Sequence, residues 1–180
     1  MKPERSRTND SFPDWLPGDR ETTIAKLLAE ALNCPWIDSD REIERQAGKT
    51  IAQIFAEDGE PAFRDFEERI IAELCMKPEL ILATGGGAVT RENTRKVLRA
   101  SGPVLWLTAS PETILHRMAG DETTKTSRPS LTNLPALDEI RHILEVREPM
   151  YRDCATMEIT TELCSPEEIV KQLLEITPDS

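Results

Sequence analysis

The sequence predicts an α/β fold, a layered sandwich built on a parallel β-sheet. From Thr23 onward, segments with apolar residues at helical spacing alternate with short apolar runs, the pattern of crossover units on such a sheet. Two of these runs, at 80–84 and 103–107, are largely apolar, as expected of strands buried on both faces. At 180 residues the chain is long enough for one domain with its own core.

The first predicted elements are a helix and a short strand. The helix begins at Thr23 and ends near Asn33, and residues 35–38 form the strand that follows. A second helix is expected from Arg41. The apolar positions that define the first helix are Ile24, Leu27, Leu28, Ala31 and Leu32.

Helix boundaries are marked next by capping residues. Thr50 and Gln53 have the spacing of a capping box, which begins a helix. Gly59 is expected to end that helix before Pro61 opens another one. Two helices are therefore predicted before the strand at 80–84.

The second half of the chain continues the same alternation. Ser110 is expected to cap a helix that has Pro111 at its first position. A further helix is predicted over 137–147, followed by a last strand at 157–160. Residues 165–168 form a second capping box, ahead of a C-terminal helix.

Residues 121–135 are rich in Thr, Ser and Pro and show no periodicity. Long loops of this kind in compact enzymes often act as lids. Arg128 lies inside the segment, where a mobile guanidinium could close on a phosphate group. The alternative is a solvated loop arginine, which is the commoner case.

The charge balance restricts the class of partner. Twenty-two Lys+Arg against 33 Asp+Glu give a net charge of −11, which argues against nonspecific nucleic-acid binding. We expect no membrane partner, since the chain has no apolar stretch of spanning length, and we expect a cytoplasmic location. The four cysteines form no C-x-x-C pair, so neither a zinc site nor a disulfide framework is expected.

The segment 16–23 stands where a phosphate-binding loop would precede the first helix. Such a loop, G-x-x-x-x-G-K-[ST], wraps phosphates with glycine amides and reaches them with its lysine. Here Arg20 takes the place of the second glycine and Glu21 that of the lysine. Gly18, Thr22 and Thr23 remain as candidate contacts to ATP. The preceding stretch, 11–17, contains two prolines and an aspartate, which do not fit a central strand.

Polar residues after the first strand are candidates for chemistry. Asp38 and Asp40 are two residues apart at its end, so one carboxylate could lie near a magnesium ion and the other could bind a substrate hydroxyl. The alternative is that Ser39 or Asp40 only caps the following helix. Arg64 is a candidate anion ligand, with an exposed ion pair as the alternative.

Further candidates lie later in the chain. The glycines Gly85, Gly86 and Gly87 follow a buried strand and allow close approach of a ligand, whereas a flexible turn is the alternative. Arg147 is placed at a helix end, where it caps carbonyls or binds a carboxylate bidentately. His116 and His142 have no partner motif and are interpreted as structural or surface residues.

Taken in order along the chain, six groups of residues resemble those of shikimate kinases. Because they recur in order over nearly the whole chain from Thr22, they are far more specific together than singly. The groups are 23–29, 38–40, 54–65, 84–87, 128–129 and 147–152.

The resemblance implies a P-loop fold like that of nucleoside-monophosphate kinases, a three-layer sandwich with a five-stranded parallel sheet and a lid. It implies phosphorylation of the shikimate 3-hydroxyl by ATP and Mg²⁺ in chorismate and aromatic amino-acid biosynthesis. Shikimate is then the expected partner, and a monomer is expected. The residues implied to bind shikimate are Asp40, Arg64, Gly85, Gly86, Gly87 and Arg147.

The resemblance also assigns roles. Arg64 and Arg147 would hold the shikimate carboxylate, and Asp40 would orient its hydroxyls. The residues implied for catalysis, metal and nucleotide are Asp38 near magnesium and the reacting oxygen, Thr22 as the metal-binding hydroxyl, Arg117 at adenine and Arg128 as the lid arginine.

The departure from the family is confined to the loop. Codons for residues 15–21, read one nucleotide later, permit Gly-Tyr-Arg-Ala-Thr-Gly-Lys, which joins directly to Thr22. The Trp15 codon forces the first glycine, and the last position must be Lys or Arg. We therefore hypothesise that 1–21 is an irregular segment out of frame and that 22–180 is the kinase domain.

Two rival functions remain at this point. A catalytically impaired relative that binds shikimate or a partner protein is favoured by Arg20 and Glu21. A kinase for another polyol acid, such as gluconate, is disfavoured because Asp40, Arg64 and Arg147 occur together.

Overall fold

The structure is a computed structural model that describes residues 19–120 and 135–176. Gly18, Arg128 and all of the predicted lid except Pro135 lie outside these residues. Within them the chain forms eight α-helices, four β-strands and one 3₁₀-helix. No described helix is both long enough and apolar enough to span a bilayer.

The order of elements confirms the predicted alternation of helices and strands. The helices are α1 (Asp19–Leu32), α2 (Ser39–Ala47), α3 (Ile51–Glu57), α4 (Gly59–Cys75), α5 (Glu92–Ser101), α6 (Pro111–Gly120), α7 (Ala136–Cys154) and α8 (Pro166–Ile176). The strands are β1 (Trp36–Asp38), β2 (Ile81–Ala83), β3 (Leu105–Thr108) and β4 (Met157–Thr160), and the 3₁₀-helix is Ala88–Thr90.

The strands pair in parallel, in two separate pairs. β1 pairs with β2, with Asp38 opposite Ala83, and β3 pairs with β4, with Thr108 opposite Thr160. The described residues therefore contain two two-stranded sheets rather than the predicted five-stranded one. Because parallel strands end at the same edge, the residues that follow β1 and β2 are brought together.

Helix α1 packs against α8 and against β1 and β2. Its Ile24 is 3% exposed and joins the apolar side chains of α8, in a cluster that also includes Leu105 of β3 and Ile159 of β4. A second cluster fills the space between α2, α3 and α4 around Ile43 and Phe63. These clusters fix α1 and α4, the two helices that carry Thr22 and Arg64.

Two predicted capping boxes are confirmed. Thr50 accepts from the Gln53 amide at 3.2 Å while Gln53 accepts from the Thr50 amide at 2.8 Å. Ser165 and Glu168 make the same reciprocal bonds at 3.2 and 2.7 Å. Helix α3 ends at Glu57 with Asp58 as its C-cap, and Gly59 follows at φ +82°, so the predicted helix end at Gly59 is confirmed. Helix α4 begins at Gly59 itself, two residues before the predicted start at Pro61.

Helix α7 is longer than predicted. The sequence predicted a helix over 137–147, but the helix runs on through Pro149 to Cys154. Proline removes one backbone donor from a helix interior. Here the apolar packing of Ile143 and Cys154 on either side keeps the helix continuous. Arg147 is therefore a mid-helix residue and not a helix-end cap.

Candidate active site

Thr22 and Asp38 meet at the end of β1. The Thr22 hydroxyl donates to Oδ2 of Asp38 at 2.8 Å, while Oδ1 of Asp38 accepts from the amides of Asp40 and Arg41 at 2.9 and 3.3 Å. Asp38 is thus the N-cap of α2, and the prediction that Ser39 or Asp40 caps this helix is wrong. The cap holds one carboxylate oxygen toward the helix and the other toward Thr22.

Thr22 and Asp38 offer two oxygen ligands to a magnesium ion. The described residues contain no group of three His, Cys, Asp or Glu side chains that could hold a metal. Magnesium needs no such cage, because it keeps several waters and takes one or two protein oxygens along with substrate phosphates. The hydroxyl of Thr22 and the carboxylate of Asp38 are hard oxygen ligands of this kind, so the pair fits a hydrated magnesium ion.

The glycine loop, defined as Gly85–Gly87, lies against Asp40. A Cβ added to Gly85 would lie 3.1 and 3.3 Å from the two Asp40 carboxylate oxygens. Any side chain at this position would therefore press on that carboxylate. The carbonyl of Gly87 accepts from the Thr90 hydroxyl at 2.7 Å, which closes the loop onto the 3₁₀-helix.

Arg64 is buried and paired, so the alternative of an exposed ion pair is wrong. Its side chain on α4 is 5% exposed, and Nη1 donates to Oε2 of Glu67 at 2.8 Å. A second carboxylate, Glu60, lies 3.5 Å from Nη2. Such a pair tolerates burial only because each charge compensates the other.

Glu67 links the remaining charged residues. Burial raises the pKa of the Glu67 carboxyl, and Arg64 opposes this effect. The charge of Asp40 also raises this pKa, whereas the charge of Arg147 lowers it. Asp40 and Arg147 are therefore close enough to act on Glu67. Arg147 itself is 2% exposed. The charges of Arg64, Arg147 and Asp40 thus all act on the Glu67 carboxyl, and Asp40 lies next to Gly85 in the glycine loop.

A second group of residues lies after β4. Arg117 of α6 donates to the hydroxyl and to the carbonyl of Thr161 at 2.9 and 2.8 Å. Arg20 donates to the same carbonyl at 3.0 Å and to that of Cys164 at 2.5 Å. Burial, and then the positive charge of Arg20, lowers the pKa of Arg117. The Arg20 side chain, at the position of the second glycine of a phosphate-binding loop, is thus hydrogen-bonded to the same segment as Arg117.

Helix α1 begins at Asp19, so Arg20 and Glu21 lie in its first turn. A helix here leaves no described loop of amides before Thr22, and Glu21 adds a carboxylate. Because of this helical backbone and this carboxylate, the first turn of α1 does not fit the triphosphate of ATP. Thr23 follows Thr22 in the same helix and is half-buried.

Glu162 anchors the start of α6. One carboxylate oxygen accepts from the Ser110 amide, and the other accepts from the Thr113 hydroxyl at 2.7 Å. The Ser110 hydroxyl accepts from the Thr113 amide at 3.2 Å, which confirms the predicted cap. These hydrogen bonds, first that of Thr113 and then that of Ser110, lower the pKa of Glu162 to about 2.

This lowered pKa predicts an acid-dependent loss of stability. The unfolded value is near 4.5, so the contribution of Glu162 is complete above that pH and is lost as the pH falls toward about 2. We expect Glu162→Gln to lower the urea midpoint at pH 7, with a difference from the unmodified chain that shrinks between pH 4.5 and 2. Glu175→Gln, at an exposed position of α8, serves as control. A constant difference across this range would contradict the assignment.

Some functional neighbours were missed in the sequence. Glu67 lies three residues after Arg64 on the same helix face, and this spacing could have indicated a pair. Thr161 directly follows a strand, the position where parallel sheets place ligand contacts. No sequence pattern indicated the hydrogen bonds of Arg20, since its partners are more than 140 residues away. His116 and His142 are exposed on α6 and α7, in agreement with their interpretation as surface residues.

Known proteins resemble this chain over nearly all of its length. A family model described as shikimate kinase matches residues 20–177. The shikimate kinase of Rhodopirellula baltica is 42% identical over 169 residues, which cover 92% of this chain and 90% of that protein. That of Pseudomonas savastanoi pv. phaseolicola is 42% identical over 157 residues, 87% of this chain and 89% of that protein.

Solved structures agree with the sequence comparison. Shikimate kinase from Acinetobacter baumannii in complex with shikimate is 35% identical, with a TM-score of 0.79, over 87% of this chain and 85% of that chain. The enzyme from Bacteroides thetaiotaomicron is 30% identical, with a TM-score of 0.78, over 88% and 92%. The fold is therefore the α/β fold of P-loop nucleoside-monophosphate kinases. The sequence matches and the structural matches together show that the chain belongs to the shikimate kinase family.

Proposed function

We propose that this chain binds shikimate beside the glycine loop and phosphorylates its 3-hydroxyl with ATP, in aromatic amino-acid biosynthesis. The observation that carries the proposal is the buried Arg64–Glu67 pair, together with Asp40 beside Gly85 and a buried Arg147 whose charge acts on the same Glu67 carboxyl. A single acidic sugar-like ligand fits this set, because its carboxylate requires guanidiniums and its hydroxyls require a carboxylate acceptor.

Each charged group has one role in the proposed complex. Arg64 and Arg147 hold the shikimate carboxylate, and the already paired Glu67 keeps Arg64 in a fixed orientation. Asp40 accepts hydrogen bonds from the ring hydroxyls. The A. baumannii relative was solved with shikimate, which supports this choice of ligand.

Asp38 is proposed as the group that receives the proton of the reacting hydroxyl. In the transfer, a bond forms between that oxygen and the γ-phosphorus of ATP, and the bond to the ADP oxygen breaks. The helix cap holds Oδ1 of Asp38 and the Thr22 hydroxyl holds Oδ2, so the position of the carboxylate is fixed before substrate binds. Thr22 and Asp38 would hold magnesium, which would neutralise charge on the phosphates when bound. Arg117 is proposed to contact adenine, and Arg128 to close on the transferring phosphate.

We propose that the native segment before Thr22 is the shifted reading frame. Among the described strands, β2 and β3 each pair on one edge only, and a fifth strand between the two pairs would complete the five-stranded sheet. The shifted frame also permits Phe-Leu-Thr in place of residues 12–14, an apolar strand that leads into the loop. The displaced segment thus explains together why the described residues contain no fifth strand and why the loop has no lysine.

The proposed enzyme acts as a monomer in the cytoplasm. Its four cysteines are all free thiols, which fits a reducing compartment.

Calorimetric titration of shikimate into the chain as written tests whether the protein binds the proposed substrate. This test does not require a complete phosphate-binding loop. We expect one site per chain. Arg147→Met should weaken binding by roughly 30-fold to 5,000-fold, since removing one member of a buried charge pair costs about 2–5 kcal/mol. Arg141→Met, at an exposed arginine of the same helix, should leave binding unchanged.

The outcomes separate the rival functions. Absence of shikimate binding would overturn the proposal. Binding without turnover, in a protein whose DNA confirms the loop as written, would favour the shikimate-binding relative instead.

A further inference from the structure

The carbonyl of Gly86 is held by a side chain that the proposed reaction does not use. The Tyr151 hydroxyl donates to this carbonyl oxygen at 2.7 Å. Tyr151 lies on α7 one helical turn after Arg147, so the two side chains are on the same face of the helix. The glycine loop is therefore tied directly to the helix that carries a proposed carboxylate ligand.

The direction of this hydroxyl is fixed by aromatic packing. The Tyr151 ring stacks on Trp106 of β3, with centroids 5.4 Å apart and an angle of 21° between the planes. The guanidinium carbon of Arg152 lies 5.4 Å from the Trp106 ring centroid. Stacked rings of this kind lose little further freedom on forming a hydrogen bond, so the hydroxyl is already oriented toward Gly86.

The hydrogen bond determines which way the next amide points. None of the described peptide bonds is cis, and in a trans peptide the carbonyl of one residue and the N–H of the next point in opposite directions. Because Tyr151 holds the Gly86 carbonyl, the Gly87 N–H faces away from the Tyr151 ring. A peptide between two glycines would otherwise rotate with little steric hindrance.

We infer that Tyr151 is a positioning residue that fixes the Gly86–Gly87 peptide so that the Gly87 N–H is presented to an oxygen of the bound polyhydroxy acid. The loop is also held after this peptide, where the Thr90 hydroxyl donates to the Gly87 carbonyl, and before it Gly85 lies close to the Asp40 carboxylate. Tyr151 acts through the loop and does not touch the reacting atoms. This inference rests on the proposed function, since it requires that shikimate binds at the loop.

Tyr151→Phe removes the hydroxyl and keeps the stacked ring. Titrated with shikimate in the absence of nucleotide, this variant should show a Kd raised at least about fivefold, the change expected for the loss of a neutral hydrogen bond. Hydrogen exchange of the amides at 84–90 should become faster. In a protein with a restored phosphate loop, KM for shikimate should rise while KM for ATP stays unchanged.

Thr156→Val is the matched control. Its hydroxyl also bonds to the backbone, accepting from the Val104 amide at 2.9 Å, but it lies at the amino ends of β3 and β4, opposite the edge that carries the site. We expect this variant to bind shikimate like the unmodified chain. An unchanged Kd and unchanged exchange in Tyr151→Phe would overturn the inference and leave the proposed function intact. An unmodified chain that fails to bind shikimate would overturn both.

Discussion

Replacing residues 15–21 with Gly-Tyr-Arg-Ala-Thr-Gly-Lys should raise ATP-dependent formation of shikimate 3-phosphate by a factor of at least about 10³. The reason is electrostatic. The chain as written places the Glu21 carboxylate where phosphate oxygens would lie, whereas the replacement supplies an ammonium group and a ring of backbone amides. Loss of a single preorganised donor costs about 10² to 10³ in kcat, and this replacement restores several. A coupled assay for ADP release with and without shikimate measures the gain.

The matched control is the same replacement with glutamate kept at position 21. It restores the glycines and the backbone path but not the lysine, so its rate should stay far below that of the full loop. Equal rates for the two proteins would show that the lysine is dispensable. Equal rates for the replaced chain and the chain as written would contradict our interpretation of the loop.

Arg64→Met is expected to lower the free energy of unfolding by about 3–5 kcal/mol at neutral pH and to abolish shikimate binding. The stability loss follows because Glu67, at 2% exposure, would be left as an uncompensated buried charge. Its pKa is already raised by burial, and loss of Arg64 raises it further. A carboxyl with a raised folded pKa costs stability as the pH rises above its unfolded value near 4.5. The destabilisation should therefore shrink as the pH is lowered toward 4.5.

A double variant separates the structural role of Arg64 from its binding role. Arg64→Met with Glu67→Leu replaces the ion pair by apolar side chains, and such replacements are often neutral or stabilising. We expect urea unfolding to recover most of the lost stability, while shikimate binding stays absent. Recovery of binding together with stability would show that the guanidinium does not contact the substrate.

Local signals predicted most of the fold. The capping boxes at Thr50 and Ser165 and the apolar strands at β2 and β3 depend on residues close in sequence, and the structure has them where the pattern placed them. The end of α7 was predicted wrongly near Arg147, because the helix continues through Pro149, where packing on both sides rather than local propensity decides the helix length.

The residues of the candidate site could be predicted where they form a short motif next to a strand. Asp38, Asp40 and the glycine loop all follow strands, and parallel topology brings strand ends together. Contacts between distant segments had no such signal. The bonds of Tyr151 to Gly86 and of Arg20 to Thr161 depend on how the helices pack, which neither periodicity nor spacing encodes.

The sequence of the genomic DNA across the codons for Asn9 to Thr23 tests the displaced frame, the central claim, most directly. We predict that these codons, read one nucleotide later, encode glycine in place of Trp15, glycine in place of Arg20 and lysine in place of Glu21. We also predict one further base before the Thr22 codon, which joins the shifted frame to the frame of Thr22 and the residues after it. Codons that confirm the chain as written and cannot encode the loop in the shifted frame would contradict the claim.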